Sequence, residues 1–228
     1  MFDVQGTATD FHSTVCGEAQ RISAGRHPGV DWAEMVRRWR ASYFTVLEAA
    51  QGRGGGWVSG RSVYRDALDA VLDELGIAGF SDAQREELTL AWQRLKPWPD
   101  VVPGLTRLKT AYTLATLSNA DVSAVVNISK RAGLPWDAVF AAEMAGVFKP
   151  DPAIYDMAAT YLGLDPAEIM MVASHKYDIR AAGRLGYATA FVARPLEFGV
   201  DGEADVAYSD EFDVNASDFL DLAAQLGC

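Results

Sequence analysis

The sequence is poor in the residues that mark several classes of protein. It has two cysteines, Cys16 and Cys228, at opposite ends of 228 residues. That is no disulfide framework and no zinc spacing, and it reads as two thiols in a reducing cytosol. Cationic side chains are also scarce: 20 Lys+Arg stand against 31 Asp+Glu, a net charge of −11. This argues against a nucleic-acid binder, which needs a basic face to release phosphate counterions, and against an anionic membrane surface. Long apolar runs are missing, the longest being about five residues, where a bilayer span needs ~20. The opening residues, MFDVQGTATD, have no basic stretch ahead of an apolar one and so do not read as a secretory leader. No repeat on the order of 20–50 residues stands out. What is present is a chain half hydrophobic, enough for a sizeable core in one large domain or two small ones.

The two halves are patterned differently. Residues 13–96 read as helical almost throughout. Asp31 can cap a long helix with apolar positions at Trp32, Met35, Val36, Trp39, Tyr43, Val46 and Leu47, a 3.6-residue stripe. The glycine run in 53–60 breaks it. A second amphipathic helix runs from Val63 to Leu75, with Gly76 placed to end it. A third starts at Ser81, with Gln84 set for a capping box. From residue 103 onward, helix and strand alternate. Strands are expected in YTLATLSN, IMMVAS (169–174) and ATAFVA, with a further one at 205–208, and a last helix from Ala216 to Leu226. Repeated β-α units imply a parallel sheet covered by helices on both faces, an α/β fold whose chemistry gathers at the C-terminal ends of the strands.

Four segments occupy those ends. FDVQGTATD carries Asp3, Thr7 and Asp10; TLSNAD carries Ser118 and Asn119; GVFKPDPAIY carries Lys149 and Tyr155; MVASHKYD carries His175 and Asp178. Each also reads singly as a turn, a loop or a helix cap. Together they form a working set. A carboxylate can attack carbon or phosphorus and hold the resulting ester. A lysine within ~4–6 Å keeps that carboxylate ionised. Hydroxyls and free backbone N–H groups can hold an anionic substrate group.

In this order the segments resemble the haloacid dehalogenase superfamily, and within it the type II (L-2-haloacid) dehalogenases. WRASYF (39–44) resembles the helix that carries an arginine over the active site. The resemblance covers nearly the whole chain. It implies a Rossmann-like core over residues 1–12 and 97–228 with a helical cap inserted at 13–96. It implies hydrolysis of short 2-haloalkanoic acids, haloacetates or L-2-haloacids, with Asp3 as the nucleophile and Lys149 paired to it. Thr7 would support Ser118 and nearby amides in holding the substrate carboxylate. Arg40 and Asn119 would receive the halide, and Tyr155 would orient the cluster. Asp178 would orient the hydrolytic water with His175. The partners implied are a small anionic haloacid and water, with no cofactor and no metal; a homodimer is one candidate assembly.

Two departures stand out. The best-known type II enzymes read Ser-Ser-Asn where this chain has Ala173-Ser174-His175. Also, only Met1 and Phe2 precede Asp3, where a central strand usually supplies about five residues, so further apolar residues upstream are expected. Three other readings remain beside the dehalogenase. A superfamily phosphatase would carry an acid at position 5, here Gln5. Strained-ring hydrolysis of azetidine-2-carboxylate would keep the ester chemistry. A non-catalytic binding protein would keep only the fold.

Overall fold

The structure is a computed structural model that describes residues 1–52 and 57–228. The glycine break expected at 53–60 therefore lies partly outside the described residues.

The core is a parallel sheet. Strand β3 (Ala115–Ser118) pairs with β4 (Ala138–Ala141), and β5 (Met170–Ala173) pairs with β6 (Ala188–Val192), which in turn pairs with β7 (Val214–Ala216). The first residues of the chain join the two halves. Phe2 bridges Thr116 of β3 and Val172 of β5, both in parallel. Its N–H donates to Ala115 O at 2.8 Å, and the Asp3 N–H donates to Val172 O at 3.0 Å. Asp3 thus stands at the C-terminal end of the sheet's centre, where α/β folds place ligands.

β3, β5 and β6 are almost wholly buried, as strands covered on both faces should be. Helices α6 (Val122–Ala132), α7 (Ala142–Ala145) and α8 (Pro152–Leu162) lie between β3 and β5 in the chain, and α9 (Lys176–Arg184) packs on β5 and β6. Helices α5 (Val101–Leu108) and α10 (Phe219–Gln225) pack on each other. They approach so closely that a Cβ on Gly104 would lie 2.6 Å from the Phe219 side chain.

The helical block is built as its sequence pattern requires. Helix α1 (Phe11–Ser23) is capped by Asp10, and the Glu34 N–H at the start of α2 (Trp32–Gly52) donates to Asp31. Ser59 caps α3 (Gly60–Glu74), and Ser81 with Gln84 completes a capping box on α4 (Asp82–Thr89). The α2 stripe is buried: Met35, Val36 and Trp39 show no exposure, and Tyr43 only 1%. Beneath it, the Tyr64 ring stacks on Trp92 at 4.1 Å and on Tyr43 at 4.3 Å. The chain leaves and re-enters the sheet region side by side, where β1 (Thr9–Asp10) pairs antiparallel with β2 (Lys96–Pro97). Among the described residues, no helix is long and apolar enough to cross a membrane.

Two expectations need correction, and one strand was not expected. Residues 205–208 form no strand: they are exposed, and Asp205 is engaged by Lys176 and by the Ala207 N–H. The sheet edge is β7 instead. The last helix starts at Phe219 rather than Ala216, because Ala216 still belongs to β7 and Asp218 is the cap. Strand β4 has no counterpart in the sequence reading.

Candidate active site

The loop after the central segment turns sharply at Gly6, whose φ of +92° suits glycine. The turn brings Thr7 back onto Asp3: Thr7 Oγ1 donates to Asp3 Oδ2 at 2.7 Å. Ser174 at the end of β5 locks this arrangement, its N–H donating to Thr7 Oγ1 at 3.0 Å. From the other side, Arg194 after β6 donates to Thr7 O at 2.7 Å and holds Asp100 with both terminal nitrogens at 2.9 Å.

Lys149 is buried between two carboxylates. Its Nζ donates to Asp3 Oδ1 at 3.0 Å, to Leu117 O at 2.8 Å and to Asp178 Oδ2. Asp178, with no exposure, also accepts from Tyr155 OH at 2.6 Å. Burial alone would favour neutral Asp3, but the Lys149 ammonium and the His175 donor outweigh it and hold Asp3 well below the usual carboxylate range. The resting nucleophile is therefore ionised.

His175 stands at the start of α9. Its Nδ1 is 3.1 Å from Asp3 Oδ2 and its Nε2 is 2.7 Å from Glu197 Oε1. Burial opposes charge on the ring, yet Glu197 and Asp3 more than offset it and push the ring up to about 10. Glu197 was missed in the sequence. It follows Arg194 and Pro195 in the loop after β6, the kind of strand-end position that merits inspection.

Of the arginines in RRWR, Arg37 and Arg38 pair with Glu34, and Arg38 also with Glu74. Arg40 turns inward and is 8% exposed. Its Nη1 donates to Tyr64 OH at 2.9 Å, and Tyr64 OH donates to Gln5 Oε1 at 3.1 Å. The guanidinium lies 4.8 Å from the Phe44 ring centre and 5.5 Å from those of Phe11 and Tyr43. Among the described residues, no carboxylate pairs with it. A buried cation held by rings and a phenol, and joined through that phenol to Gln5 of the nucleophile's loop, is a ready site for an anion.

The remaining expected residues fall around this centre. Ser118 Oγ, at the end of β3, is buried and lacks a hydrogen-bond partner among the described residues. Asn119 is tied to the Lys149 backbone, accepting from its N–H at 2.6 Å and donating to its carbonyl at 3.1 Å. Tyr155 reaches the centre through Asp178, not through Asp3. Gln5, a neutral amide, serves the Tyr64–Arg40 chain. Among the described residues, no group of three or more His, Cys, Asp or Glu is placed to hold a metal ion.

Residues 1–186 match the family of haloacid dehalogenase-like hydrolases. The (S)-2-haloacid dehalogenase of Xanthobacter autotrophicus is 31% identical over 196 residues, 85% of this chain and 74% of that one. Two solved structures superpose closely at 38% identity. The L-2-haloacid dehalogenase PA0810 gives a TM-score of 0.91 over 99% of this chain and 97% of that one. The defluorinating L-2-haloacid dehalogenase Rha0230 gives 0.93 over 100% and 94%. The chain belongs to the haloacid dehalogenase-like hydrolases.

Proposed function

We propose that this protein hydrolyses short 2-haloalkanoic acids to 2-hydroxy acids and halide through an ester on Asp3. The observation that carries the reading is a buried, ionised aspartate whose loop is joined, through Gln5 and Tyr64, to a buried arginine that has no carboxylate partner among the described residues. In the first step an Asp3 oxygen bonds to C2 of the acid, and the carbon–halogen electron pair leaves as halide toward Arg40. Ser118 Oγ, unpartnered among the described residues, takes the substrate carboxylate with neighbouring backbone N–H groups. In the second step water bonds to Asp3 Cγ and the acyl C–O bond breaks, releasing the hydroxy acid. The helical block serves as a cap that brings Arg40 over the sheet. The relatives are themselves called L-2- or (S)-2-haloacid dehalogenases, and one of them is called defluorinating, so fluoroacetate belongs in the substrate panel.

A phosphatase reading fits the residues poorly. The position for its second acid is Gln5, and the space between Asp3 and Asp178 is filled by the Lys149 ammonium. The test is a single turnover in ¹⁸O-water with enzyme in excess. Label is expected in Asp3 and not in the first hydroxy acid formed. Label appearing directly in that product would rule out the ester, and absence of halide release from fluoroacetate, chloroacetate and both 2-chloropropionates would rule out the substrate class.

A further inference from the structure

The geometry points to Glu197 and His175 as a carboxylate–imidazole pair that deprotonates the water attacking the Asp3 ester. This rests on the dehalogenase reading and deepens it. One imidazole ring spans the nucleophile and a second carboxylate, at 3.1 Å and 2.7 Å. Glu197 is 4% exposed, and among the described residues its one side-chain partner is His175. A buried carboxylate is costly unless paired, and the fold makes a specific seat for this one. Gly6 supplies the space: a Cβ there would stand 2.4 Å from Glu197 Oε1 and 3.1 Å from His175 Cε1. The Glu197 N–H donates to Arg194 O at 3.1 Å, and Arg194 is itself fixed to the Thr7 loop and Asp100. Glu197 is therefore a positioning residue, acting on water through His175.

Asp178 is less suited to the role. Its two oxygens are engaged by Tyr155 and Lys149, and it makes no hydrogen bond to Asp3. Around His175 stand Asp3 from the central segment, Glu197 from the loop after β6, and Tyr177 on its own helix. Lys149 and Arg40 face the same cluster from beyond Asp3 and from α2. In the resting state the ring carries a proton between two carboxylates. Esterification neutralises Asp3 and removes one of them, which lowers the ring's hold on its proton, and the ring that acts as base is the one that has released that proton to solvent. Neutral Nδ1 now faces the ester, while Nε2–H stays on Glu197. As water bonds to Asp3 Cγ, one of its protons leaves on the hydroxy acid. The other ends on His175, which restores the imidazolium beside the carboxylate. Each turnover thus yields one hydroxy acid, one halide and one proton.

The test is pre-steady-state mixing of Glu197→Gln enzyme with L-2-chloropropionate. Halide and hydroxy acid are read by rapid quench, protons by an indicator dye, and the ester by intact mass. Halide should still be released once per active site, with a proton in step. Ester hydrolysis should slow by about 10²-fold, the usual scale of general-base assistance, so the ester accumulates. The pH profile of hydrolysis should move to lower pH, because the ring has lost its anionic neighbour. Glu197→Asp, which keeps the charge, should recover part of the rate and stands in should Glu197→Gln not fold. Halide release followed by hydrolysis at the unmodified rate, or an unmoved pH profile, overturns the pair while leaving the dehalogenase reading intact. Absence of halide release from unmodified enzyme overturns both.

Discussion

Lys149→Met keeps much of the side chain's length and removes its charge. In the native protein that charge lies in a site with 1% side-chain exposure, 3.0 Å from Asp3 and also against Asp178, whose side chains are 7% and 0% exposed. Breaking a buried ion pair from one side typically costs about 3–5 kcal/mol, since a carboxylate is left without its partner. For a chain of this size that corresponds to a fall in Tm of roughly 6–20 °C. The loss should also depend on pH in a defined direction. In the native protein Asp3 has a depressed pKa, so its contribution is present above ~3.9, the unfolded value, and is lost as pH falls below it. In the variant, burial acts without the ammonium: it raises Asp3 and pushes Asp178, which burial already raises in the native protein, higher still. Their contribution then erodes as pH rises past the unfolded value. The stability gap between the two proteins should widen from pH 5 to pH 8. Urea unfolding at four pH values in that range measures it. A gap below about 1 kcal/mol, or one that does not change with pH, would refute the view that Lys149 balances both carboxylates. The variant should also lack all halide release, because Asp3 would no longer be held ionised.

Arg40→Met should lower kcat by about 10²–10³-fold, the usual loss when one preorganised donor is removed from developing charge, with a smaller rise in KM. Arg38→Ala should stay within about twofold, since exposed pairs contribute little and its partners are surface Glu34 and Glu74. Gly6→Ala should destabilise by about 1–3 kcal/mol through its positive φ, seen as a lower urea midpoint, and should also slow ester hydrolysis because the new Cβ displaces Glu197. Turnover should persist in excess EDTA, and p-nitrophenyl phosphate with Mg²⁺ should not be hydrolysed; activity lost on chelation and restored by Mg²⁺ would bring back the phosphatase reading.

What could be read from the sequence was written in local chemistry. The caps at Asp31, Ser59 and Ser81 act within three residues of themselves, and Asp31 and Ser81 were legible for that reason. Strands β5 and β6 showed as mainly apolar runs because both their faces are covered, and β3 as a short run of apolar residues with threonines. The inward turn of Arg40 could also have been read: it lies four residues after Val36 and three before Tyr43, on the margin of the buried stripe, whereas Arg37 and Arg38 do not share both neighbours. Strand β4, AVFA, was not legible because four residues between two helices carry no period of their own. The strand expected at 205–208 was a short alternation without burial, while β7 carries a polar Asn215 and gives little apolar signal. Glu197 was hidden for another reason. Its role depends on Gly6, His175 and Arg194, which come together only when the ends of three separate segments meet.

The charges at the site explain why these residues belong together. Asp3, Asp178 and Glu197 are matched by Lys149, His175 and Arg40, three of each sign, all within a largely buried cluster. A protein of net charge −11 repels small anions at long range, so attraction has to come from this local set. A haloacid adds one negative charge to a balanced site; a phosphate monoester near neutral pH adds close to two. At an effective dielectric of 20, each unbalanced unit charge 4 Å from another contributes about 4 kcal/mol, so the monoanion is favoured. During displacement the total does not change. Asp3 becomes neutral and the halide takes up its charge, so the negative charge moves away from Lys149 and His175 toward Arg40. The site therefore needs a cation at each end of that path, with the distal one not paired to a carboxylate before the reaction begins, and among the described residues Arg40 is held in that condition by aromatic rings and a phenol.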